Sequence, residues 1–418
     1  MPAGRTATVH PIEYRGGSPG YRSGVETIDD VGEFGLIARV QARLPLTSPD
    51  TPVPAGDDAA LLNAPDGRLA VSTDLLLEGN HFRRDWSSPR DIGHKAAAQN
   101  FSDIVAMGGV PTSLLLSMVL PGDLPVAWVE EFAEGVAGEC AGLGAIVAGG
   151  DMVRGELITI SVTVLGTLEG RAPVLRSGAR PGDTVAVAGR LGWSAAGLEL
   201  LLSGEETRVA AGDGVEQASG GAAEAGSGSA GSATVPAEVG LAGSAAVPAE
   251  AGAATVRAEA GSAASVVAAA EAGPAGSATV PPHAGSVASV APQPADYLSA
   301  HRRPSPPYAA GPQAARAGAT AMLDVSDGLL ADLMHLAVAS GVAVDVDSAL
   351  AVTTPGPRLD LVLTGGEDHA LVATFASGAE LPEGWRPIGT VHEGSAAVTV
   401  DGKAWDGAVG WSHFGHSE

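Results

Sequence analysis

The hydrophobic pattern of the chain alternates between helical and strand periods over a first block from Thr27 to Glu169. Apolar residues at helical spacing predict an amphipathic helix in VGEFGLIARVQARL, with its apolar side formed by Val31, Phe34, Ile37, Val40 and Leu44. Two more helices are predicted in DIGHKAAAQNFSDIVAMG and LPVAWVEEFAEGVAGECAGLG. Short apolar runs predict strands at ALLNAP, LAVSTDLLL, TSLLLSMVL, AIVAGGD and LITISVTVLGTL.

A second block shows the same mixture of periods. Helices are predicted in GWSAAGLELLLSG and SDGLLADLMHLAVAS, and strands in DTVAVAG, VAVDVD, HALVATF and AAVTVDG. Because strands and helices follow each other in irregular order, the pattern favours an α+β fold of two mixed α/β domains over a doubly wound sheet.

The periodic pattern is absent from a long segment between the blocks. No aromatic residue occurs between Trp193 and Tyr297, and loose repeats such as SATVPAE and SAAVPAE fill the segment. Such a composition buries too little apolar area to offset its ordering entropy, which predicts a flexible insertion. The expected organisation is a disordered extension at 1–26, an N-terminal domain at 27–169, a low-complexity insertion at 204–295, and a C-terminal domain at 170–203 and 296–418.

Composition limits the function classes. The 418 residues carry a net charge of −25, which argues against a nucleic-acid partner because phosphate contacts need a basic surface. One cysteine, Cys140, fits a reducing cytosol, and no apolar run is long enough for a membrane span. We therefore expect a cytoplasmic protein. The acidic excess either serves solubility or indicates carboxylates clustered around divalent cations.

Acidic residues recur beside glycine or serine where strands end or helices begin. Each such motif alone is typical of a turn or helix cap. Together they indicate a multi-metal phosphate site, because carboxylate and hydroxyl oxygens suit Mg²⁺. Asp74 is the least conventional member, because an ionised carboxylate on an apolar strand is costly unless a cation or hydrogen bonds receive it. The motifs are GDD (56–58), STD (72–74), NFSD (100–103), GGD (149–151) and DVSDG (324–328).

The usual nucleotide motifs are absent from the sequence. Lys95 and Lys403 are its two lysines, and neither lies in a P-loop pattern. The signatures of protein kinases are also absent. Arg176, in APVLRSGARPGD, is a basic candidate for phosphate, although a loop arginine is more often a solvated surface residue.

Taken in order, the motifs of both blocks resemble those of the thiamine-monophosphate kinase family, within the aminoimidazole-ribonucleotide-synthetase-like superfamily. The resemblance implies ATP-dependent phosphorylation of thiamine monophosphate with several Mg²⁺ ions. It also implies a homodimer in which strands of the N-terminal domains pair. The matching motifs are GEFGLIAR, GDDAALL, STDLLLEGNHF, KAAAQNFSDIVAMGG, GGD, LRSGARPGD, GWSAAGL, RRPSP, LDVSDGL, SGV and TGGEDHAL.

The resemblance also implies roles for individual residues. The acceptor is a phosphate oxygen that is already anionic, so no catalytic base is expected. ATP would contact Gly150, Arg176 and Ser326, and the thiamine substrate His81, Glu367 and Trp411. Each of these three has a structural alternative, and Lys95 could equally be a salt-bridge partner. The metal ligands would be Asp58, Ser72, Thr73, Asp74, Asp103, Asp151, Asp324 and Asp327.

Alternatives from the same superfamily and from another class stay open. Selenophosphate synthetase and hydrogenase-maturation proteins are disfavoured, because Cys140 lies mid-helix and the chain ends in GHSE. Aminoimidazole ribonucleotide synthetase remains possible, as does a non-catalytic binding protein that uses the insertion. The intact set of aspartates favours an enzyme. The insertion and the N-terminal extension depart from the family pattern.

Overall fold

A computed structural model of the chain describes residues 24–55, 59–204, 291–353 and 355–411. The described residues belong to the same structural unit. Asp58, most of the predicted N-terminal extension and most of the predicted insertion lie outside them, and the proposed domain boundaries remain predictions.

The first block forms a four-stranded sheet with helices against it. The sheet order is β1–β4–β2–β3, and every pairing is antiparallel except the parallel one between β2 and β3. The elements are α1 (Ile28–Gln41), β1 (Ala70–Leu77), α2 (Pro89–Ala106), β2 (Val110–Leu120), α3 (Val126–Leu143), β3 (Ile146–Arg154) and β4 (Thr159–Thr167).

Strand alternation separates the two faces of this sheet. Ser72, Asp74 and Leu76 lie on the face covered by helices, opposite buried residues of β4. On the other face Val71 and Leu75 are each 60% exposed, and among the described residues no element covers them. One face of the sheet is therefore open and partly apolar.

Helices α2 and α3 cross closely because glycine occupies the contact in both. A Cβ on Gly93 would lie 2.1 Å from the Phe132 carbonyl oxygen, and one on Gly135 would lie 2.1 Å from that of Arg90. Ser88 begins α2 as its N-cap by accepting a hydrogen bond from the Asp91 amide. This crossing and cap fix the direction of α2, which carries several of the predicted site residues.

The second block forms a seven-stranded sheet in the order β11–β10–β7–β9–β5–β8–β6. Helices α7 and α9 pack on one face, and α6 with the end of α2 on the other. Its elements are β5 (Thr184–Ala188), α4 (Trp193–Ser203), α5 (Pro294–Arg302), α6 (Ala310–Arg316), β6 (Ala321–Val325), α7 (Leu329–Ser340), β7 (Ala343–Val346), α8 (Ser348–Ala351), α9 (Leu359–Thr364), β8 (Ala370–Phe375), β9 (Trp385–His392), β10 (Ala397–Val400) and β11 (Lys403–Ala404). The predicted α+β class is confirmed. No helix in the described ranges is both long and apolar enough to cross a membrane.

Two predictions from the hydrophobic pattern are wrong. The run ALLNAP is not a strand, because it forms a single bridge from Leu61 to Val53 before the chain enters a turn. Phe34, expected on the apolar side of α1, is 82% exposed, and Leu36 is buried instead. The backbone leaves helical geometry at Gly32 (φ 67°, ψ 176°), so the residues after it follow a shifted register.

Candidate active site

A cavity of about 400 Å³ lies between the end of β1, helix α2 and the loops that precede α7 and β8. It brings together six of the residues predicted to bind metal, nucleotide or substrate. Its lining is Asp74, Leu75, Gly79, Asn80, His81, Phe82, Arg83, Trp86, Gln99, Ser194, Ala195, Leu198, His301, Ser326, Asp327, Gly366, Glu367, His369 and Trp411.

Strand β1 and helix α2 supply the first group of acidic residues. The Ser72 hydroxyl donates to Asp103 Oδ2 over 2.7 Å. The Asp74 amide donates to Asn100 Oδ1 over 3.1 Å, and Asp74 Oδ2 accepts from Gln99 Nε2 over 3.4 Å. Residues of α2 that lie within about one helical turn of each other thus contact Ser72 and Asp74 on β1.

Asp324 on β6 joins this group from the second block. Its Oδ2 accepts from the Ser102 hydroxyl over 2.9 Å and lies 3.1 Å from His369 Nδ1. Burial, followed by the charges of Asp324 and Asp74, raises the pKa of Asp103 to about 7, although the Ser72 hydrogen bond opposes the rise. The carboxylates of Asp103, Asp324 and Asp74 therefore lie close enough to repel each other, and hydrogen bonds offset this repulsion only in part.

The loop between β6 and α7 is held by a carboxylate that faces its backbone. Asp332 Oδ2 accepts from the amides of Ser326, Asp327 and Gly328 at 3.0, 3.1 and 3.1 Å. Burial and the charges of Asp324 and Asp327 raise the pKa of Asp332 to about 7. This anchor presents Ser326 and Asp327 to the cavity.

The sequence Glu367-Asp368-His369 has three separate contacts. Glu367 and His369 have positive φ angles, 63° and 51°, which are unfavourable for residues with a Cβ and occur often at functional sites. Asp368 accepts from the amides of Gly192 and Ser194 and so caps α4. Burial raises the pKa of Asp368 to about 7. The three side chains therefore point to the cavity, to α4 and to Asp324.

Lys95 connects this turn to the loop after β1. Its Nζ lies 3.0 Å from Glu367 Oε2 and 3.0 Å from the His81 carbonyl oxygen. Burial raises the pKa of Glu367, but Lys95 and then His301 outweigh it, and the net pKa lies below its usual 4.5. Burial and the Lys95 charge lower the pKa of His301 to about 4. Glu367 is thus ionised beside a neutral His301 near neutral pH.

His81 and Trp411 complete the part of the cavity expected to take the substrate. The Leu77 amide donates to His81 Nδ1 over 2.9 Å, so neutral His81 carries its proton on Nε2. The Trp411 amide donates to the Asp327 carbonyl over 2.9 Å, and its side chain is 66% exposed. The chain therefore returns to the cavity at residue 411.

Some predicted residues are not brought to this cavity. Thr73 lies on the open face of the sheet and bonds β4 through Thr163 and the Val162 carbonyl. Asp151 and Gly150 lie on β3, three strands from β1 (about 14 Å), and line a separate cavity of about 110 Å³ beneath α1. Arg176 is exposed and does not line the larger cavity.

Sequence reasoning missed residues that organise the site. Asp332, Asp368, His369 and Ser102 are buried and contact predicted ligands or the loops that carry them. Asp332 had a recognisable signal, because an acidic residue in the first turn of a helix that follows SDG is a frequent cap.

The donor chemistry of the site fits Mg²⁺. Carboxylates and a serine hydroxyl are hard oxygen ligands, and burial together with the charges of Asp324 and Asp74 raises the pKa of Asp103 to about 7. Within the described ranges no three acidic, histidine or cysteine side chains converge closely enough to form a complete metal site. Asp58 lies outside those ranges.

An α+β fold with this acidic cavity defines a protein of the aminoimidazole-ribonucleotide-synthetase type. Residues 56–168 match the family model described as AIR synthase related protein, N-terminal domain. The thiamine-monophosphate kinase of Mycobacterium tuberculosis strain H37Rv is 37% identical over 408 residues, which cover 94% of each chain.

Two solved structures extend the match. One, described as AaThiL complexed with AMPPCP and TMP, is 30% identical, covers 94% of this chain and 100% of its own, and has a TM-score of 0.59. The thiamine-monophosphate kinase of Stenotrophomonas maltophilia K279a is 28% identical, covers 90% of this chain and 98% of its own, and has a TM-score of 0.61. The chain belongs to the thiamine-monophosphate kinase family and is an enzyme of the phosphotransferase class.

Proposed function

We propose that this enzyme phosphorylates thiamine monophosphate to thiamine diphosphate with ATP, by direct transfer assisted by several Mg²⁺ ions. The observation that carries the proposal is a single cavity lined by the acidic residues Asp74 and Asp327 and by the candidate substrate contacts His81 and Glu367. The solved relative described as complexed with AMPPCP and TMP supports the choice of both substrates.

The chemistry of the acceptor explains why no residue is assigned as a catalytic base. The acceptor is the phosphate of thiamine monophosphate, which is anionic near neutral pH, so no proton must be removed before attack. The main obstacle is repulsion between two anions. Bound Mg²⁺ would supply the charge neutralisation that phosphoryl transfer requires. Asp74, Asp103, Asp324 and Asp327, with the Ser72 hydroxyl, would hold the ions.

Other residues of the cavity lining suit the thiamine moiety. Glu367 is ionised and its side chain is 34% exposed. Its carboxylate can therefore face a cationic thiazolium or accept a hydrogen bond from an aminopyrimidine. His81 would donate from Nε2, and Trp411 would offer an aromatic surface to the cationic ring.

The predicted nucleotide contacts are less completely assembled within one chain. Ser326 lies in the cavity, held through its amide by Asp332. Gly150, Asp151 and Arg176 remain predicted ATP or metal contacts. A Mg²⁺–oxygen bond is about 2.1 Å long, so Asp74 and Asp151, which lie three strands apart, cannot share one ion as placed. Asp151 would hold a separate ion or belong to a site shared with a second chain.

We also propose that the enzyme is a cytoplasmic homodimer. The open sheet face supports the dimer, because Val71 and Leu75 are exposed there beside a polar row of β4. The double variant Val71→Asp/Leu75→Asp should be monomeric in light scattering, whereas the control Val338→Asp, on an exposed position of α7, should keep the native mass. A monomeric wild-type protein would contradict the homodimer.

The activity is tested by chromatographic detection of thiamine diphosphate. Wild-type protein is incubated with ATP, Mg²⁺ and either thiamine monophosphate or thiamine. We expect thiamine diphosphate from the monophosphate and no phosphorylation of thiamine. Nucleotide binding without product from the monophosphate would contradict the substrate assignment.

A further inference from the structure

Lys95 is a buried cation at the back of the substrate cavity. Its side chain is 3% exposed, and its Nζ lies 3.0 Å from the His81 carbonyl oxygen and from both carboxylate oxygens of Glu367. A buried ammonium is costly unless it is paired and hydrogen-bonded, and Lys95 satisfies both conditions through these partners. The position of the Lys95 ammonium group is thus set by two residues that line the cavity.

The two partners come from distant parts of the sequence. Glu367 follows Lys95 by 272 positions, whereas His81 precedes it by 14. Both residues line the cavity, and Lys95 itself does not. One ammonium group therefore fixes the spacing between two segments of the cavity lining without being part of that lining.

The Glu367 backbone lies in an unfavourable conformation beside this contact. Its φ of 63° is unfavourable for a residue with a Cβ, and its amide donates to the Ser326 carbonyl over 2.7 Å. His301 Nδ1 lies 3.7 Å from Glu367 Oε2, and burial keeps His301 neutral. Lys95 is consequently the permanent cation in contact with this carboxylate among the described residues.

We propose that Lys95 is a positioning residue for the cationic thiamine end of the substrate. By holding Glu367 and the His81 carbonyl on one ammonium, it sets the distance between these two parts of the lining and aims the Glu367 carboxylate into the cavity. The inference rests on the proposed function, because it assigns Glu367 to the substrate. It predicts that Lys95 affects recognition of thiamine monophosphate and leaves nucleotide binding unchanged.

The expected signature is a selective change in KM. Loss of a charged hydrogen bond should raise the KM for thiamine monophosphate by about 10- to 100-fold. Both kcat and the KM for ATP should change by less than about threefold, because Lys95 contacts neither Ser326 nor the aspartates described above. Lys95→Arg should recover part of the loss, since it keeps the charge.

A double-mutant cycle separates positioning from structural support. Lys95→Met is measured alone and together with Glu367→Gln, with Lys403→Met, an exposed lysine, as the control. If Lys95 acts through Glu367, Lys95→Met should raise KM in the native background and by less than about threefold in the Glu367→Gln background. Equal effects of Lys95→Met in both backgrounds would overturn the inference. Parallel increases in the KM for thiamine monophosphate and the KM for ATP would also overturn it.

Calorimetry of thiamine monophosphate binding keeps the two proposals distinguishable. If the protein binds this ligand but forms no product, the proposed function fails and the same cycle is read from Kd. If thiamine diphosphate forms but the effects of Lys95→Met and Glu367→Gln simply add, the inference about Lys95 is overturned and the proposed function stands. If thiamine monophosphate does not bind, the inference and the proposed function are both overturned. If Lys95→Met does not fold, Lys95→Gln replaces it, because its amide can still donate to the His81 carbonyl.

Discussion

Replacing Asp332 should show how the loop that presents Ser326 and Asp327 is stabilised. One carboxylate oxygen of Asp332 accepts from three consecutive amides, and the side chain is 4% exposed. Asp332→Ala leaves all three donors without this acceptor, whereas Asp332→Asn keeps one oxygen and a similar shape. The two variants therefore separate hydrogen bonding from charge.

The magnitude follows from the burial of the three donors. A buried donor left unsatisfied costs about 1–3 kcal/mol. Gly328 is buried, but Ser326 and Asp327 are only half-buried, so water can replace part of their bonding. We expect Asp332→Ala to lower the free energy of unfolding by about 4 kcal/mol. Asp332→Asn should cost about 1 kcal/mol, because burial and nearby carboxylates already disfavour the charge, as its pKa of about 7 indicates.

Urea unfolding at pH 8 without Mg²⁺ measures both values, with the exposed Asp123→Ala as a control that should change little. Activity should follow the same order, with a higher KM for ATP in Asp332→Ala. Equal losses for the alanine and asparagine variants, or a loss below about 1 kcal/mol for alanine, would refute this account of the loop.

Two further predictions concern strand pairing and pH. Gly150→Ala should destabilise the protein by about 3 kcal/mol in thermal unfolding, because its Cβ would lie 1.8 Å from a carbonyl oxygen of the adjacent strand. The control Gly149→Ala, whose Cβ would lie 3.4 Å from its nearest neighbour, should change stability by less than about 0.5 kcal/mol. Similar losses in the two variants would contradict this prediction. In Lys95→Met the pKa of Glu367 should rise, since the change removes the Lys95 charge that lowers it while burial still raises it. The KM for thiamine monophosphate should therefore increase as pH falls from 8.5 to 6, while the wild-type KM stays level. A pH-independent ratio of the two KM values would contradict the second prediction.

The fold class and the larger helices follow from sequence because their apolar periods are long. Helix α2 was predicted at 91–108, and the structure has it at Pro89–Ala106, while strand β1 was predicted with Asp74 inside it. Phe34 was misplaced because a helical period read across Gly32 assumes a continuous helix, and the backbone breaks there. Local periodicity contains no information about such a break.

The candidate site was only partly predictable for a related reason. Motif order identified Asp74 and Glu367, but a linear pattern does not reveal contacts between distant segments. Lys95 meets Glu367 across 272 positions, and Asp368 caps a helix that begins at Trp193. Pairing of this kind depends on how the two sheets pack, so neither role could be assigned from sequence spacing.

The measurement that tests the central claim most directly is thiamine diphosphate formation by wild-type protein and by Asp74→Asn, over a Mg²⁺ titration. The account predicts Mg²⁺-dependent product from thiamine monophosphate and ATP, with at least a 100-fold loss of kcat/KM in Asp74→Asn, which corresponds to about 2.7 kcal/mol. The exposed Asp123→Asn should retain wild-type activity. Wild-type rates in Asp74→Asn, or product formation independent of Mg²⁺, would contradict the account.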